Sequence, residues 1–238
     1  MPASLPVSRS VGIAARWPAG IALTSWRYMW RTTPLHRREA RGSWNEDAGP
    51  PLPPDVDRDE LQPVEDGAGP LFHRRYRTRI REARLSASEL MARLRSDPDV
   101  ASPREFATFR KTRGEEGGMR IGDEYIVRMP GPWDGPVRVV EVTDASVRLA
   151  TLAGHLEAGQ IEFAAAEVDG QIECRIESWA RSGDRFADLL YSHLRMAKEI
   201  QFHMWTSYLE RITRLAGGRM TGGIDIETRR VDELGHEG

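Results

Sequence analysis

Apolar and polar positions change period several times along the chain, and the changes mark out its elements. From Leu71 to Arg81 (LFHRRYRTRIR), Phe72, Arg74, Tyr76, Thr78 and Ile80 alternate with Leu71, His73, Arg75, Arg77 and Arg79. That period of two predicts a strand. Ser86 or Ser88 caps the next predicted element, a short helix with Leu90, Met91 and Leu94 on its apolar face and Asp97-Pro98 at its end. Pro103–Phe106 reads as a further helical turn. Strands are then predicted at Phe106–Thr112, Glu124–Met129, Val137–Val142 and Ser146–Leu152, the last two joined by Thr143-Asp144-Ala145. Gln160–Val168 and Gln171–Trp179 make a hairpin across Asp169-Gly170, a type I′ signal. No helix-length pattern interrupts this series, so the sheet is predicted to be antiparallel.

From Gly183 or Asp184 to about Ala216 the period becomes helical. Phe186, Leu189, Leu190, Leu194, Met196, Ala197, Ile200, Met204, Trp205, Tyr208, Leu209, Ile212 and Leu215 form a wide stripe suited to burial against a sheet. Gly217-Gly218 stops it. The order of elements predicts an α+β fold: a curved antiparallel sheet of about seven strands wrapped on a long C-terminal helix, with space between the two.

Four regions follow. Residues 1–41 are a basic, aromatic N-terminal extension, 42–68 a proline- and acid-rich linker, 69–217 the main domain and 218–238 a polar tail. The linker carries Pro50, Pro51, Pro53, Pro54 and Pro63 among many acids, and buries too little to repay its own ordering. It is expected either to move freely or to lie extended on a surface. In the extension, Trp26, Met29 and Trp30 share one face of a predicted helix flanked by Arg27 and Arg31. Such a helix either rests on an anionic membrane or docks on the main domain.

Composition narrows the classes. Of 238 residues, 39% are hydrophobic and 29% charged, with a net charge of −2, so a core is affordable and the basic excess of a nucleic-acid binder is missing. Nucleic acid is therefore not expected as a partner. Cys174 is the single cysteine, which excludes an internal disulfide and a cysteine-rich zinc site and fits a reduced, cytoplasmic location. The leader is arginine-rich and first acidic at Glu39, closer to a transit peptide than to a secretory signal. The best membrane window, Val11–Trp30, is broken by Arg16, Pro18 and Arg27.

The stretch Ala150–Phe163 (ATLAGHLEAGQIEF), followed by IESWAR at Ile176–Arg181, resembles the family catalogued as domain of unknown function 1990. The family's Thr-Leu-x-Gly-His-x-Glu-x-Gly motif and following Phe strand match Thr151, Leu152, Gly154, His155, Glu157, Gly159 and Phe163. Leu156 and Gln160 stand where the family usually has proline and glutamate, and the similarity spans roughly Ile121–Leu215. The resemblance implies the START-like helix-grip fold of the birch pollen allergen. Members of that superfamily commonly hold lipids, sterols or polyketides between sheet and helix, and some are cyclases.

A small apolar or amphipathic ligand is the leading expectation, with Trp133, Phe163, Trp179, Met196, Ile200 and Met204 as its contacts. The alternative is a cyclase- or hydrolase-like enzyme in which His155 and Glu157 form a general acid–base pair. In the plainer reading these two residues tie down a loop. No metal or other cofactor is expected: His155, Glu157, His193 and His203 lack zinc-like spacing. The chain has no G-x-S-x-G elbow, H-E-x-x-H helix or dinucleotide fingerprint, and Gly114–Gly118 (GEEGG) lacks the GK[ST] ending of a phosphate loop. The third reading is membrane-surface or partner docking through Trp26–Arg31.

Overall fold

Strand β2 (Ala68–Arg81) carries the alternation read from Leu71 onward. Tyr76, Thr78 and Ile80 are buried on one face, while Arg75, Arg77 and Arg79 point to the other. There they meet acids of the neighbouring strands, at 2.6 Å to Glu177, 3.1 Å to Asp225 and 3.1 Å to Glu173. The computed structural model describes residues 33–103, 107–128, 134–183 and 191–232, with the backbone alone over 191–200.

β1 (Leu35–Arg41) precedes a single helical turn, α1 (Trp44–Asp47). After β2 comes α2 (Ala87–Ser96), begun by a capping box in which Ser86 accepts the Glu89 N–H and the Glu89 carboxylate accepts the Ser86 N–H. The meander β3 (Thr108–Arg113), β4 (Glu124–Arg128), β5 (Asp134–Val142), β6 (Ser146–Thr151), β7 (Glu157–Val168) and β8 (Gln171–Ser182) is antiparallel throughout. Asp169 and Gly170, at φ 51° and 72°, make the type I′ turn between β7 and β8. Helix α3 covers Tyr191–Leu215 and β9 covers Arg219–Val231.

Among the described residues, nine strands form one curved sheet in the order β1-β9-β2-β8-β7-β6-β5-β4-β3. Its inner face and α3 enclose the core, in which Ile80, Leu149, Phe163, Ile176, Leu209 and Ile212 are buried. α2 adds Leu90, Met91 and Leu94 to the same cluster.

Three expectations change. The sheet has nine strands, not about seven. The helix does not end the fold. The supposed polar tail is strand β9, antiparallel to β2 and parallel to β1. Both added strands hid from the pattern for physical reasons. β1 is exposed beyond its first residue, so its sequence needs no alternation. β9 buries only Ile224, Ile226 and Val231 and is interrupted by Gly222-Gly223, at φ 73° and 94°. The predicted turn at Pro103–Phe106, the Trp26–Arg31 helix and the helix start at Asp184 lie wholly or mostly outside the described residues.

The segment expected as a linker lies extended across the outer face of the sheet. A proline-rich chain has few N–H groups to pair with a strand, but its carbonyls still need donors. The sheet supplies them from side chains. Gln160 donates to the Pro50 carbonyl at 3.1 Å and Arg148 to that of Pro51 at 3.3 Å. Buried Arg138 donates to the carbonyls of Asp57 and Asp59 at 2.8 and 2.9 Å, and to the Glu124 carboxylate at 2.7 Å. Val56, Leu52 and Leu61 pack on Val140 and Ala150, and Val64 and Trp44 pack with Leu71, Trp179 and Val231.

At the start of this strap, His73 is clamped between two carboxylates. Its Nδ1 meets Asp47 at 2.8 Å and its Nε2 meets Glu177 at 2.7 Å, and the ring stacks on Trp179 with centroids 5.4 Å apart. Burial alone would push the imidazole pKa down, but the bonds to Glu177 and Asp47 outweigh it and hold it above the usual 6.5. Burial would raise Glu177, yet His73 and Arg75 hold it at about 2. Asp47 is likewise held low, against its burial, by His73 and the Ser43 N–H. Ionised carboxylates only accept, so the clamp satisfies both ring nitrogens when His73 carries both protons.

The clamp has a pH window. The His73 contribution is complete below pH 6.5 and is lost as pH rises through its raised folded pKa. The Glu177 contribution is present above pH 4.5 and is lost as pH falls toward 2. Urea unfolding across pH is expected to show both limbs in the wild type. His73→Leu should cost about 3–5 kcal/mol at pH 6, because Asp47 loses its nearest cation and Glu177 is left with Arg75 and Arg175 alone, and should flatten the alkaline limb. An unchanged alkaline limb in the variant would refute the clamp.

Candidate functional site

The motif at the β6–β7 connection is a local knot. The Thr151 hydroxyl accepts the Gly159 N–H at 2.9 Å and donates to the Gln62 carbonyl at 2.8 Å. Gly154 turns the chain at φ 91°. His155 Nδ1 lies 2.9 Å from the Glu157 N–H and 3.0 Å from the Glu157 carbonyl oxygen, so the ring engages this stretch of backbone in either tautomer. Burial lowers the His155 pKa, only partly opposed by Glu157, and keeps the imidazole neutral. Gln62 closes the knot, donating to the His155 carbonyl at 3.2 Å. The His155 ring and carbonyl are thus both engaged within the loop and its neighbour Gln62.

Glu157 points the other way, toward Gln201 of α3 and Arg74 of β2. Its Oε2 accepts a 2.8 Å hydrogen bond from Gln201 of α3, and its Oε1 lies 3.5 Å from Arg74 Nη1. Arg74 is 8% exposed and holds its guanidinium 4.8 Å from the centroid of the Phe72 ring. A charged side chain this deep on the inner face is costly unless something needs it there.

Register describes the floor beside these groups. Arg74 is opposite Ser178, and Ser178 opposite Ile161; Phe72 is opposite Ala180, and Ala180 opposite Gly159. The middle of the floor is thus serine, alanine and glycine, in the interior of a nine-stranded sheet. Phe72, Ser178 and Ile161 stay partly exposed there, although their strands have neighbours on both sides. Beyond Ile161 the space closes on an aromatic cluster. Phe163 meets Trp205 and Tyr208 of α3 at centroid distances of 5.5 and 5.4 Å.

Of the residues expected at a ligand, Phe163 and Met204 sit in the core between sheet and helix. Trp179 does not join them. Strand alternation puts it on the outer face with Leu71, Val64 and His73, so it leaves the set. The inward neighbours on its strand are Ser178 and Ala180. Trp133 lies outside the described residues, and Met196 and Ile200 are described by backbone alone. The His155 and Glu157 side chains are not brought together as an acid–base pair. Among the described residues no group of three His, Cys, Asp or Glu side chains converges as metal ligands. Around Gly114–Gly118 the polarity is opposite to a phosphate cradle: the carbonyls of Glu115 and Gly118 accept from the Lys111 ammonium. Cys174 is buried, and burial pushes its thiol up to about 12.

Arg74, Ser178 and Gln201 were missed from the sequence. Arg74 left a signal: it falls in the same parity as Phe72, Tyr76 and Ile80, a cation on an otherwise apolar face. Gln201 left none.

The family profile described as Domain of unknown function (DUF1990) matches residues 70–211. Comparison with curated proteins gives no match. Among solved structures, the di-domain ARO/CYC StfQ from the steffimycin biosynthetic pathway is 8% identical, covering 65% of this chain and 52% of that one, with a TM-score of 0.47. A conserved protein from Geobacillus kaustophilus is 13% identical over 62% of this chain and 98% of its own, at 0.42. Major latex-like protein 151 from Panax ginseng is 12% identical over 58% and 98%, at 0.37.

The matched span contains the knot, whose tightness is testable. A Cβ on Gly159 would lie 1.9 Å from the Trp179 carbonyl oxygen, whereas one on Gly170 meets nothing within 4 Å. Gly159→Ala should therefore cost about 3 kcal/mol, by overpacking plus strain, and Gly170→Ala about 1 kcal/mol, by strain alone. Urea unfolding of both variants checks the difference; equal costs would mean that β7 and β8 do not close on each other at Gly159.

Proposed function

The chain belongs to the DUF1990 family, and from the geometry of its inner face we propose that it binds a small amphipathic molecule between the sheet and α3, in the manner of a helix-grip protein. One observation carries this reading. The sheet floor facing the helix is built from Ser178, Ala180 and Gly159, with Phe72 and Ile161 left partly exposed beside them. A sheet interior meant only for packing would fill such positions with large apolar side chains. The aromatic cluster of Phe163, Trp205 and Tyr208 bounds the apolar end, and Arg74, Glu157 and Gln201 bound the polar end. Ligand sites elsewhere share this character, mostly apolar with a few convergent polar groups. A binding role is favoured over an enzymatic one because the His155 ring is engaged with backbone and the Glu157 carboxylate with Arg74 and Gln201.

With this reading goes a cytoplasmic location, supported by a single, buried cysteine. No helix among the described residues is long and apolar enough to cross a membrane.

Native mass spectrometry of the full chain tests the proposal. A mass excess that disappears on denaturation is expected, and should fall sharply in Ser178→Phe, whose ring would occupy the floor. No excess, together with no uptake of an added ten-carbon alcohol or acid, would defeat the reading.

A further inference from the structure

Arg74 buries a cation on the inner face of the sheet, beside the Phe72 ring. An arginine exposes five N–H donors and stays charged at every accessible pH. Among the described residues, Arg74 has the Glu157 carboxylate at 3.5 Å and the Phe72 ring as partners. The carboxylate distance is longer than a charge-assisted hydrogen bond, which runs at about 2.7–2.9 Å. Glu157 is held back by Gln201, which takes its other oxygen at 2.8 Å. The cation is thus nine-tenths buried, loosely paired among the described residues, and opposite the partly exposed Ser178 across the strand pair.

We propose that Arg74 is the anchor for a carboxylate head group, so that the ligand is a monoanionic amphipathic acid. The inference rests on the binding reading above. The guanidinium fork takes the two carboxylate oxygens, Ser178 donates to one of them, and the apolar body runs over Ala180 and Ile161 toward Phe163. Glu157 serves as the internal counter-ion in the empty site and is displaced on binding. Charge selects the head: once Glu157 has turned away to Gln201, Arg74 alone matches a single negative charge and leaves a phosphate dianion undercompensated.

Titration calorimetry of the full chain with decanoate, decanol and decyl phosphate separates the possibilities. Decanoate is expected to bind about tenfold or more tightly than decanol, the factor of one charge-assisted contact. Arg74→Gln should abolish the tenfold ratio between decanoate and decanol, whereas a merely structural arginine would weaken both ligands and leave their ratio unchanged. Glu157→Gln removes the competing carboxylate and should raise that ratio several-fold. If Arg74→Gln does not fold, Glu157→Gln decides, since its carboxylate is partly exposed and its amide keeps the size. Equal binding of acid and alcohol would overturn this inference while leaving the binding reading intact. Tighter binding of decyl phosphate would overturn the carboxylate class. No binding of any of the three would overturn both.

Discussion

Arg138 fixes how this molecule is layered. It stands on the outer face of β5, 1% exposed, and its guanidinium spends itself on the carbonyls of Asp57 and Asp59 and on Glu124. A sheet this broad has two faces, and one helix covers only one of them. The other must be dried by chain that can offer neither strand pairing nor a helical stripe. Side-chain donors standing up from β5, β6 and β7 make that possible, because they satisfy the carbonyls that a proline-rich segment cannot pair by itself. Without them the outer layer would bury bare carbonyls, each at a cost of about 1–3 kcal/mol.

A covered outer face frees the inner one. The strap and the His73 clamp hold β2, β7 and β8 from outside, so their inward positions need not all be spent on close packing. Ser178, Ala180 and Gly159 occupy them, and the neighbouring Phe163, Trp205 and Tyr208 pack firmly enough to keep α3 at its distance. The family motif lies where both layers meet: Thr151 and Gln62 tie the end of the strap to the start of β7, and from that knot Glu157 emerges on the inner face. Its spaced small and polar residues build the corner that joins the strap to β7.

Much of the arrangement was legible in the sequence where burial repeats with a regular period. The β2 alternation, the Ser86 cap, the Asp169-Gly170 turn and the stripe around Tyr208–Ile212 all follow from local rules that the tertiary structure obeys. Legibility failed where a segment is stabilised by groups far away in the chain. The strap at residues 48–63 reads as a solvated linker because its partners, Arg138, Arg148 and Gln160, lie some 80 to 110 residues downstream. β9 reads as a tail because its neighbours on both sides supply what its own polar pattern omits. At the site, Trp179 was assigned to the wrong face: a large aromatic in a strand says that it is buried, and only parity against Ile176 says on which side.

The two outermost strands have a consequence for the molecule in a crowded solution. Among the described residues, β1 and β3 each leave one row of backbone groups without a neighbouring strand. Such rows invite another copy to continue the sheet, the first step of fibrous growth. Both rows carry more basic than acidic side chains: Arg37, Arg38 and Arg41 against Glu39 on one margin, and Arg110, Lys111 and Arg113 on the other, the last two paired with Asp123 and Glu124. Two like margins brought side by side would repel, and so would one of each kind. The basic residues at the rim of this sheet thereby act as gatekeepers, keeping an unusually wide β-surface from templating its own polymer.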